Sequence, residues 1–370
     1  MKILVTGASG FIGSFIVEEA LRRGMDTWAA IRRSSSKQYL QDERIHFIEL
    51  NLDNQQQLEE QLRGHVFDYV VHAAGVTKCL DKADFYRINT EGTKNLVRAL
   101  IALQMPLQRF VYISSLSVYG AIREQQPYEA IREGDTPQPN TDYGRSKLEA
   151  ERWLESLEFR VESVECRVES VEFATAHDSS GKDKGTAVAN SQLYTLNSQL
   201  PFVILRPTGV YGPRERDYFL MAKSIKQHSD FAVGYKPQDI TFVYVDDVVQ
   251  AVFLACERGQ TGRKYFLSDG EVYRSTTFSD LIRRELGNPW WIRITAPIWV
   301  LRVVTFFGDK IGHLTGKISA LNNDKYHILK QRNWRCDIEP ARRELGYEPK
   351  VQLEEGVRRT IQWYKENKWL

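Results

Sequence analysis

Cysteine is scarce in this chain, and the four that occur are far apart. Cys79, Cys166, Cys256 and Cys336 show no paired spacing within the 370 residues. Zinc sites and disulfide frameworks usually need close cysteine pairs, so the sequence gives no reason to expect either. We therefore expect no metal and a reducing, cytoplasmic compartment.

Net charge and long apolar runs are also nearly absent. Fifty basic and 48 acidic residues leave a formal charge of +2, which gives no electrostatic reason to expect a nucleic-acid partner. The most apolar later stretch, 289–307, contains Arg293 and Arg302 and is interrupted too early for a spanning helix. Residues 1–6 lead directly into a glycine-rich turn, so we expect no signal peptide. A small molecule is the default partner.

The first 205 residues alternate short apolar runs with helical segments. The predicted strands are 2–6, 26–31, 45–50, 67–72, 110–114 and 202–205, and the predicted helices include 11–23, 55–62 and 84–103. This alternation predicts an α/β fold with a parallel sheet covered by helices on both faces. Later, a strand and helix at 241–257 and short helices at 341–345 and 353–364 predict a smaller, mostly helical lobe.

One segment interrupts this order. The hexapeptide Arg-Val-Glu-Ser-Val-Glu occurs twice, at 160–165 and 167–172, and its apolar spacing fits neither a strand nor a helix. We interpret 158–195 as a tolerated surface insertion, since long loops at a surface cost little. A partner-binding arm is the alternative.

A glycine-rich turn between the first strand and the first helix predicts a nucleotide site. Gly7, Gly10 and Gly13 are spaced so that backbone N–H groups and the positive end of the helix can meet a pyrophosphate. The second strand then ends in Arg32 and Arg33, where an acidic residue would favour NAD(H). NADP(H) is therefore favoured, with NAD(H) as the alternative if both arginines are merely solvated.

A tyrosine and a lysine four residues apart on a helix share one face. Tyr143 and Lys147 have this spacing, so the ammonium can favour the tyrosinate and make Tyr143 an acid or base. Together with the upstream Ser115 and the glycine-rich turn, the pair predicts a redox site that needs no metal.

These motifs resemble the extended short-chain dehydrogenase/reductases, also called the NAD-dependent epimerase/dehydratase family. The resemblance covers nearly the whole chain, except the insertion, and includes Asn89-Thr90-Glu91-Gly92-Thr93 and Leu205 to Pro213. It implies a Rossmann-type doubly wound parallel sheet over 1–205. It also implies a substrate lobe over 206–370, with 241–258 returning to the first domain, and a homodimer.

The resemblance also implies roles for individual residues. Tyr143 would exchange a proton with the reacting oxygen, Lys147 would hold the nicotinamide ribose and lower the pKa of Tyr143, and Ser115 would hydrogen-bond the substrate. His72 is expected to pack near the cofactor without a catalytic role, and Ser114 and Ser117 to be structural. The expected cofactor-binding residues are Gly7, Gly10, Phe11, Ile12, Gly13, Arg32, Arg33, Ala73, Ala74, Gly75, Asn89, Tyr143, Lys147 and Pro207.

Two positions bear on the substrate. Family members that act on nucleotide sugars usually carry asparagine and arginine where this chain has Gly209 and Ile240. The chain instead resembles the dihydroflavonol reductase and 3-beta-hydroxysteroid dehydrogenase branch, which acts on bulky apolar substrates. The aromatic segment 290–307 could line a lipid-sized pocket, contact a membrane peripherally, or simply be core.

The sequence thus predicts an NAD(P)-dependent oxidoreductase that interconverts a secondary alcohol and a ketone on a lipid- or sterol-like substrate, such as a 3-oxo sphingolipid. A nucleotide-sugar epimerase or dehydratase is the first alternative. A non-catalytic NADP-binding regulator is the second, and the intact Tyr143 and Lys147 pair argues against it.

Overall fold

The computed structural model describes residues 1–157, 200–315 and 322–370. The predicted insertion at 158–195 lies outside the described residues. The described strands are β1 (Lys2–Thr6), β2 (Asp26–Ile31), β3 (His46–Glu49), β4 (Tyr69–His72), β5 (Arg109–Ile113), β6 (Phe202–Pro207), β7 (Gly209–Tyr211), β8 (Ser229–Val233), β9 (Asp239–Ile240), β10 (Phe242–Tyr244), β11 (Lys264–Leu267), β12 (Tyr273–Arg274) and β13 (Ile292–Ala296).

The helices follow the same chain order. They are α1 (Phe11–Arg22), α2 (Gln55–Leu62), α3 (Lys82–Phe85), α4 (Gly92–Ala102), α5 (142–157), α6 (Arg216–Lys226), α7 (Val245–Arg258), α8 (Thr277–Glu285), α9 (Ile298–Thr315), α10 (Asn323–Lys330), α11 (Glu339–Leu345) and α12 (Leu353–Glu366). A π-helical segment, Tyr86–Glu91, joins α3 to α4, and a short 3-10 helix, Leu116–Val118, follows β5.

A seven-stranded sheet forms the centre of the first domain. Its order is β3-β2-β1-β4-β5-β6-β11, and every neighbouring pair is parallel. Side chains of α1 and α7 pack on one face, and side chains of α2, α4 and α5 pack on the other. Helices on both faces of a parallel sheet confirm the predicted doubly wound α/β fold.

The predicted division of the chain differs from the structure at one strand. The sequence interpretation assigned 264–267 to the substrate lobe, whereas β11 is the edge strand of the main sheet, paired with β6. Helix α11 also packs against α7 and β11. The first domain therefore includes β11 and α11 as well as 241–258. Strand β11, which follows α7 in the chain, pairs with the edge that β6 would otherwise leave exposed.

The smaller lobe contains helices and three two-stranded sheets, β7 with β10, β9 with β12, and β8 with β13. Its core is rich in aromatic rings. Tyr211 makes edge-to-face contacts with Tyr218, Phe242 and Phe278, at centroid distances of 5.3 to 6.2 Å. These rings belong to one apolar core cluster of the lobe, the aromatic cluster.

The aromatic segment at 290–307 is not one helix. It forms β13, then turns at Pro297 and continues as α9. Many of its large side chains are exposed, so the interpretation of this segment as core is wrong. Among the described helices, none is long and apolar enough to cross a membrane.

A buried ion pair joins α5 to the main sheet. The guanidinium of Arg206, in β6, donates to both carboxylate oxygens of Glu151 at 3.1 and 2.6 Å, and to the Tyr119 hydroxyl at 3.0 Å. Arg206 is 2% exposed and Glu151 is fully buried. Burial opposes the charge, yet the attraction of Glu151 leaves the pKa of Arg206 raised. Each group thus depends on the other, since an unpaired charge here would be costly.

This dependence predicts unequal effects of single and paired substitutions. Glu151→Ala should lower the free energy of unfolding by about 3–5 kcal/mol, because it leaves a buried guanidinium unpaired. Glu151→Leu combined with Arg206→Met should recover most of that loss. Urea unfolding followed by circular dichroism measures both effects, with the exposed Glu149→Ala on the same helix as control. Equal losses of unfolding free energy in the single and double variants would contradict the mutual dependence of Glu151 and Arg206.

Candidate active site

The glycine-rich turn is closely packed against the end of β4. Gly7 has a φ of +69°, and a Cβ there would lie 2.6 Å from the backbone nitrogen of Ala74. A Cβ on Gly13 would lie 2.1 Å from the carbonyl oxygen of Gly7. Only glycine fits either position. No side chain caps the N-terminus of α1 at Gly10, so this end of the helix, with Phe11 and Ile12 in its first turn, can hold a phosphate group.

The loop after β4 is fixed by Asn89, in the π-helical segment. The Asn89 side chain accepts from the Val76 backbone nitrogen at 2.8 Å and donates to the Val76 carbonyl oxygen at 3.0 Å. It also donates to the Ser146 hydroxyl at 3.0 Å. The buried amide therefore links the Ala73-Ala74-Gly75 loop to α5. A cofactor bound at the glycine-rich turn would meet this loop as one of its walls.

Close packing of α5 brings the serine and the tyrosine together. Gly144 follows Tyr143, and a Cβ on Gly144 would lie 2.4 Å from the carbonyl oxygen of Ser117. The Ser115 hydroxyl accepts from the Ser117 backbone nitrogen at 3.1 Å, which orients its side chain. The Ser115 hydroxyl is close enough to lower the pKa of Tyr143. The predicted catalytic serine and tyrosine are therefore neighbours.

The pKa of Tyr143 is raised to about 12. Burial is the main cause, and the neighbouring Ser115 hydroxyl lowers the pKa only in part. The expected lowering of the Tyr143 pKa by Lys147 is not found in this geometry, because the ammonium is directed to the Ile113 carbonyl oxygen. Tyr143 is consequently a protonated phenol at neutral pH.

Lys147 lies beneath the site, almost fully buried. Its Nζ donates to the Ile113 carbonyl oxygen at 2.8 Å and lies 4.7 Å from the centroid of the Tyr112 ring. A Cβ on Gly75 would lie 3.3 Å from that Nζ, so the ammonium borders the β4 loop. Burial lowers the pKa of Lys147 to about 8, although Glu151 opposes the shift. Lys147 can therefore donate toward a group placed above Gly75.

The remaining predicted residues lie where parallel-sheet topology places them. Arg32 and Arg33 directly follow β2 and are exposed. Pro207 is the last residue of β6. His72 ends β4, where its Nδ1 and Nε2 pair with the hydroxyls of Thr6 and Thr93 at 2.7 and 2.9 Å. Burial lowers the pKa of His72 to about 3, so it is neutral and has a packing role.

Sequence reasoning missed a carboxylate that comes from the smaller lobe. Asp324, in α10, accepts from the backbone nitrogens of Asp142 and Tyr143 at 3.2 Å each. It therefore caps the first turn of α5 from outside that helix. Spacing in the sequence could not reveal this contact, since about 180 residues separate the partners.

Two lysines near this cap share one carboxylate. Asp217, in α6, is paired with Lys78 and lies 2.9 Å from the Nζ of Lys325. Burial opposes ionisation of Asp217, but the two cations lower its pKa. The β4 loop, α6 and α10 are thus joined beside Tyr143. Ser114, one residue before Ser115, has a buried hydroxyl with no partner among the described residues.

The positions used by nucleotide-sugar enzymes are occupied differently here. A Cβ on Gly209 would lie 3.0 Å from the Tyr218 hydroxyl and 3.4 Å from Cδ1 of Phe242. Tyr218 in turn stacks on Phe278, with centroids 4.5 Å apart. A side chain at residue 209 would therefore require the Tyr218 hydroxyl to shift by a few tenths of an ångström. Ile240 is partly buried against the same aromatic cluster.

Comparison with known families decides the assignment. The model of the NAD dependent epimerase/dehydratase family matches residues 3–172 and 184–268. The chain belongs to this family. Its members include NAD-dependent epimerases, dehydratases and dehydrogenases of the extended short-chain type, which confirms the predicted resemblance.

Several curated relatives are similar to the chain along almost its whole length. A UDP-glucose 4-epimerase of Vibrio cholerae is 25% identical, with 98% of this chain and 94% of the relative covered. A decarboxylating sterol-4-alpha-carboxylate 3-dehydrogenase of Candida albicans is 22% identical, with 99% and 98% covered. A 4-hydroxy-2-methyl-3-oxo-4-farnesyl-3,4-dihydroquinoline-1-oxide ketoreductase of Stigmatella aurantiaca is 24% identical, with 96% and 95% covered.

Solved structures show the same fold. A UDP-glucose 4-epimerase from Thermotoga maritima, with UDP-glucose, has a TM-score of 0.71 and 22% identity, and all of both chains is covered. A dTDP-glucose 4,6-dehydratase from Streptomyces venezuelae, with NAD bound, has a TM-score of 0.72 and 20% identity over 100% of this chain and 98% of the other. In the present chain, the parallel sheet and the glycine-rich turn fit a nicotinamide dinucleotide.

The buried ammonium predicts a pH-dependent difference in stability. The pKa of Lys147 falls from 10.5 to about 8 on folding. Between these values the unfolded chain binds more protons, so the free energy of unfolding rises with pH relative to a variant without the amine. From pH 7 to 9.5, wild type should gain about 2 kcal/mol relative to Lys147→Met. Urea titrations of both proteins at several pH values measure the difference in their free energies of unfolding. A difference that does not change with pH would contradict the low pKa of Lys147.

Proposed function

We propose that this protein is an NAD(P)-dependent oxidoreductase that interconverts a secondary alcohol and a ketone on a bulky hydrophobic substrate. The observation that carries the proposal is the convergence of Ser115, Tyr143 and Lys147 beside the glycine-rich turn. A bound nicotinamide cofactor would exchange a hydride with the substrate carbon. The protein would then supply only proton transfer, orientation and exclusion of water.

Tyr143 holds the proton that ketone reduction requires. In that direction the carbonyl carbon gains a hydride while its oxygen gains the proton of the Tyr143 hydroxyl, giving an alcohol. A phenol whose pKa is near 12 holds that proton at neutral pH. Ser115 would donate to the same oxygen as negative charge develops on it, and Lys147 would hold the nicotinamide ribose.

The surroundings of Gly209 support a hydrophobic substrate. The rings of Tyr218 and Phe242 lie next to Gly209, where a polar side chain would hold a diphosphate. Lys78 and Lys325, the cations joined beside Tyr143, are both paired with Asp217. Because these positions offer a diphosphate no unpaired cation, a lipid-like or sterol-like ketone, such as a 3-oxo sphingolipid, is proposed in preference to a doubly charged nucleotide sugar. Relatives named as a sterol dehydrogenase and a ketoreductase of a farnesylated quinoline are consistent with this proposal.

The similarity to epimerases and dehydratases favours a second candidate. Relatives named for both activities cover nearly the whole chain at comparable identity. An epimerase returns the hydride to its substrate, so it would turn over a nucleotide sugar without net cofactor consumption. Retained cofactor after purification would support this alternative.

The proposed cofactor is NADP(H). Arg32 and Arg33 lie at the end of β2 without an ion-pair partner in the described part of the chain, and the acidic Asp26 lies at the opposite end of the strand. Guanidinium groups at this position can neutralise a 2′-phosphate. NAD(H) is the alternative, as in the solved relatives with NAD bound.

We also propose a cytoplasmic homodimer that contacts a membrane peripherally. Three free thiols among the described residues, at Cys79, Cys256 and Cys336, are consistent with a reducing compartment. The dimer follows from the family resemblance. Peripheral contact would give the enzyme access to a poorly soluble substrate.

The reaction is tested by NADPH oxidation with long-chain 3-oxo lipids, 3-oxosteroids and nucleotide sugars. Tyr143→Phe should reduce turnover of a lipid ketone by about 100- to 10,000-fold, because it removes the proton donor. It should leave NADPH affinity unchanged. Tyr265→Phe, whose hydroxyl bonds Glu344 at the sheet edge, is the matched control. Undiminished turnover by Tyr143→Phe, or conversion of a nucleotide sugar without NADPH oxidation, would overturn the proposal.

Cofactor preference is tested at the end of β2. Arg32→Ser with Arg33→Ser should weaken NADPH binding by about 10- to 100-fold, the value of charge-assisted hydrogen bonds to a phosphate, and leave NADH binding unchanged. Arg63→Ser, an exposed arginine after α2, is the control. Fluorescence titration with each cofactor measures the affinities. Equal losses for both cofactors would indicate that the arginines do not recognise the 2′-phosphate.

A further inference from the structure

Exposed apolar side chains are concentrated in one part of the smaller lobe. Of the fifteen large apolar side chains that are exposed in the described residues, twelve lie between 220 and 307. The other three, Met1, Phe47 and Val66, are scattered over the first domain. Such a concentration on a folded chain marks an interaction surface.

One component of this surface is the outer face of the β8 and β13 pair. Ile294 pairs in register with Phe231, and these residues are 46% and 65% exposed. Ile292, on the same face, is 61% exposed. The intervening Arg293 points the other way, since its guanidinium bonds Asp230 at 2.6 Å. The strand pair therefore presents apolar groups to solvent and keeps its charges inside.

Helix α9 is the second component, joined to β13 through Pro297. Leu301 and Thr305 form its buried side. Its exposed side carries Trp299, Val303 and Phe306 at helical spacing, with Lys310 one turn further and its Nζ 4.7 Å from the Phe306 ring. We name as the docking surface Phe231, Trp290, Ile292, Ile294, Trp299, Val303, Phe306 and Phe307.

Among the described residues, exposed cations without an ion-pair partner lie in the same lobe as the docking surface. Helix α6 packs beside β8 and exposes Arg216, Lys223 and Lys226. Between residues 216 and 236 the chain has four basic and two acidic residues, and both acidic residues are in ion pairs. Together with Lys236, Arg302 and Lys310, six exposed cations form no ion pair in the described part of the chain.

We infer that the docking surface binds the surface of a bilayer that contains anionic lipids. The inference rests on the proposed peripheral membrane contact and assigns it a surface and a lipid charge. Tryptophan and phenylalanine beside lysine and arginine are the composition that enters the headgroup boundary. Each basic residue near an anionic surface adds about 1 kcal/mol of attraction. A second copy fits poorly, because a two-fold contact through this surface would bring like charges together.

Sedimentation with vesicles tests the inference on the full chain. The protein should bind vesicles of phosphatidylcholine with phosphatidylglycerol, and bind pure phosphatidylcholine far more weakly. Trp299→Ser with Phe306→Ser should weaken binding at least tenfold. Lys223→Gln with Lys226→Gln should weaken it about thirtyfold and reduce its salt dependence. Val66→Ser and Arg63→Gln, exposed positions on the first domain, are matched controls.

The outcomes separate the membrane contact from the reaction. NADPH affinity and turnover of a detergent-solubilised ketone, measured on every variant, report on the proposed function and should not change with these surface substitutions. Absent binding to anionic vesicles would overturn the inference even if turnover is present. The inference would also be overturned if the Trp299→Ser and Phe306→Ser double variant bound anionic vesicles as tightly as wild type. A dimer that the same substitutions dissociate would identify a second copy as the occupant.

Discussion

The anchoring of helix α5 is the constraint on which the candidate site depends. Three buried polar contacts hold it: Glu151 binds Arg206 of the sheet, Thr90 donates to the Ser146 carbonyl oxygen, and Asn89 binds the Ser146 hydroxyl. Because buried polar groups have few alternative partners, such contacts define one register of the helix. That register places Tyr143 against Ser115 and Lys147 beneath the β4 loop.

The smaller lobe completes the site rather than merely covering it. Asp324 caps α5 at Tyr143, while Asp217 joins lysines of the β4 loop and of α10. Movement of this lobe would therefore act on the helix end that carries the phenol. The aromatic cluster next to Gly209 belongs to the same lobe, so one unit contributes both the cap of α5 and the surroundings of Gly209.

The sequence was sufficient for the fold and for the local motifs, because these depend on short-range patterns. Strands β1 and β2 and helix α2 were predicted with the bounds found, and the glycine-rich turn was predicted between β1 and α1, where it lies. Three features were not accessible. The cap by Asp324 depends on partners distant in sequence, the raised pKa of Tyr143 depends on burial, and β11 joins the sheet through long-range pairing.

Helix α7 packs beside α1 on one face of the main sheet, where it covers β5. It begins more than 130 residues after β5 ends in the chain. During synthesis, at roughly 5–20 residues per second, that face stays uncovered for about 7 to 30 seconds after β5 emerges. The nascent chain therefore exposes valine and isoleucine side chains of β1 and β5 for far longer than collapse takes. The order of the elements along the chain therefore leaves this face prone to aggregation during synthesis.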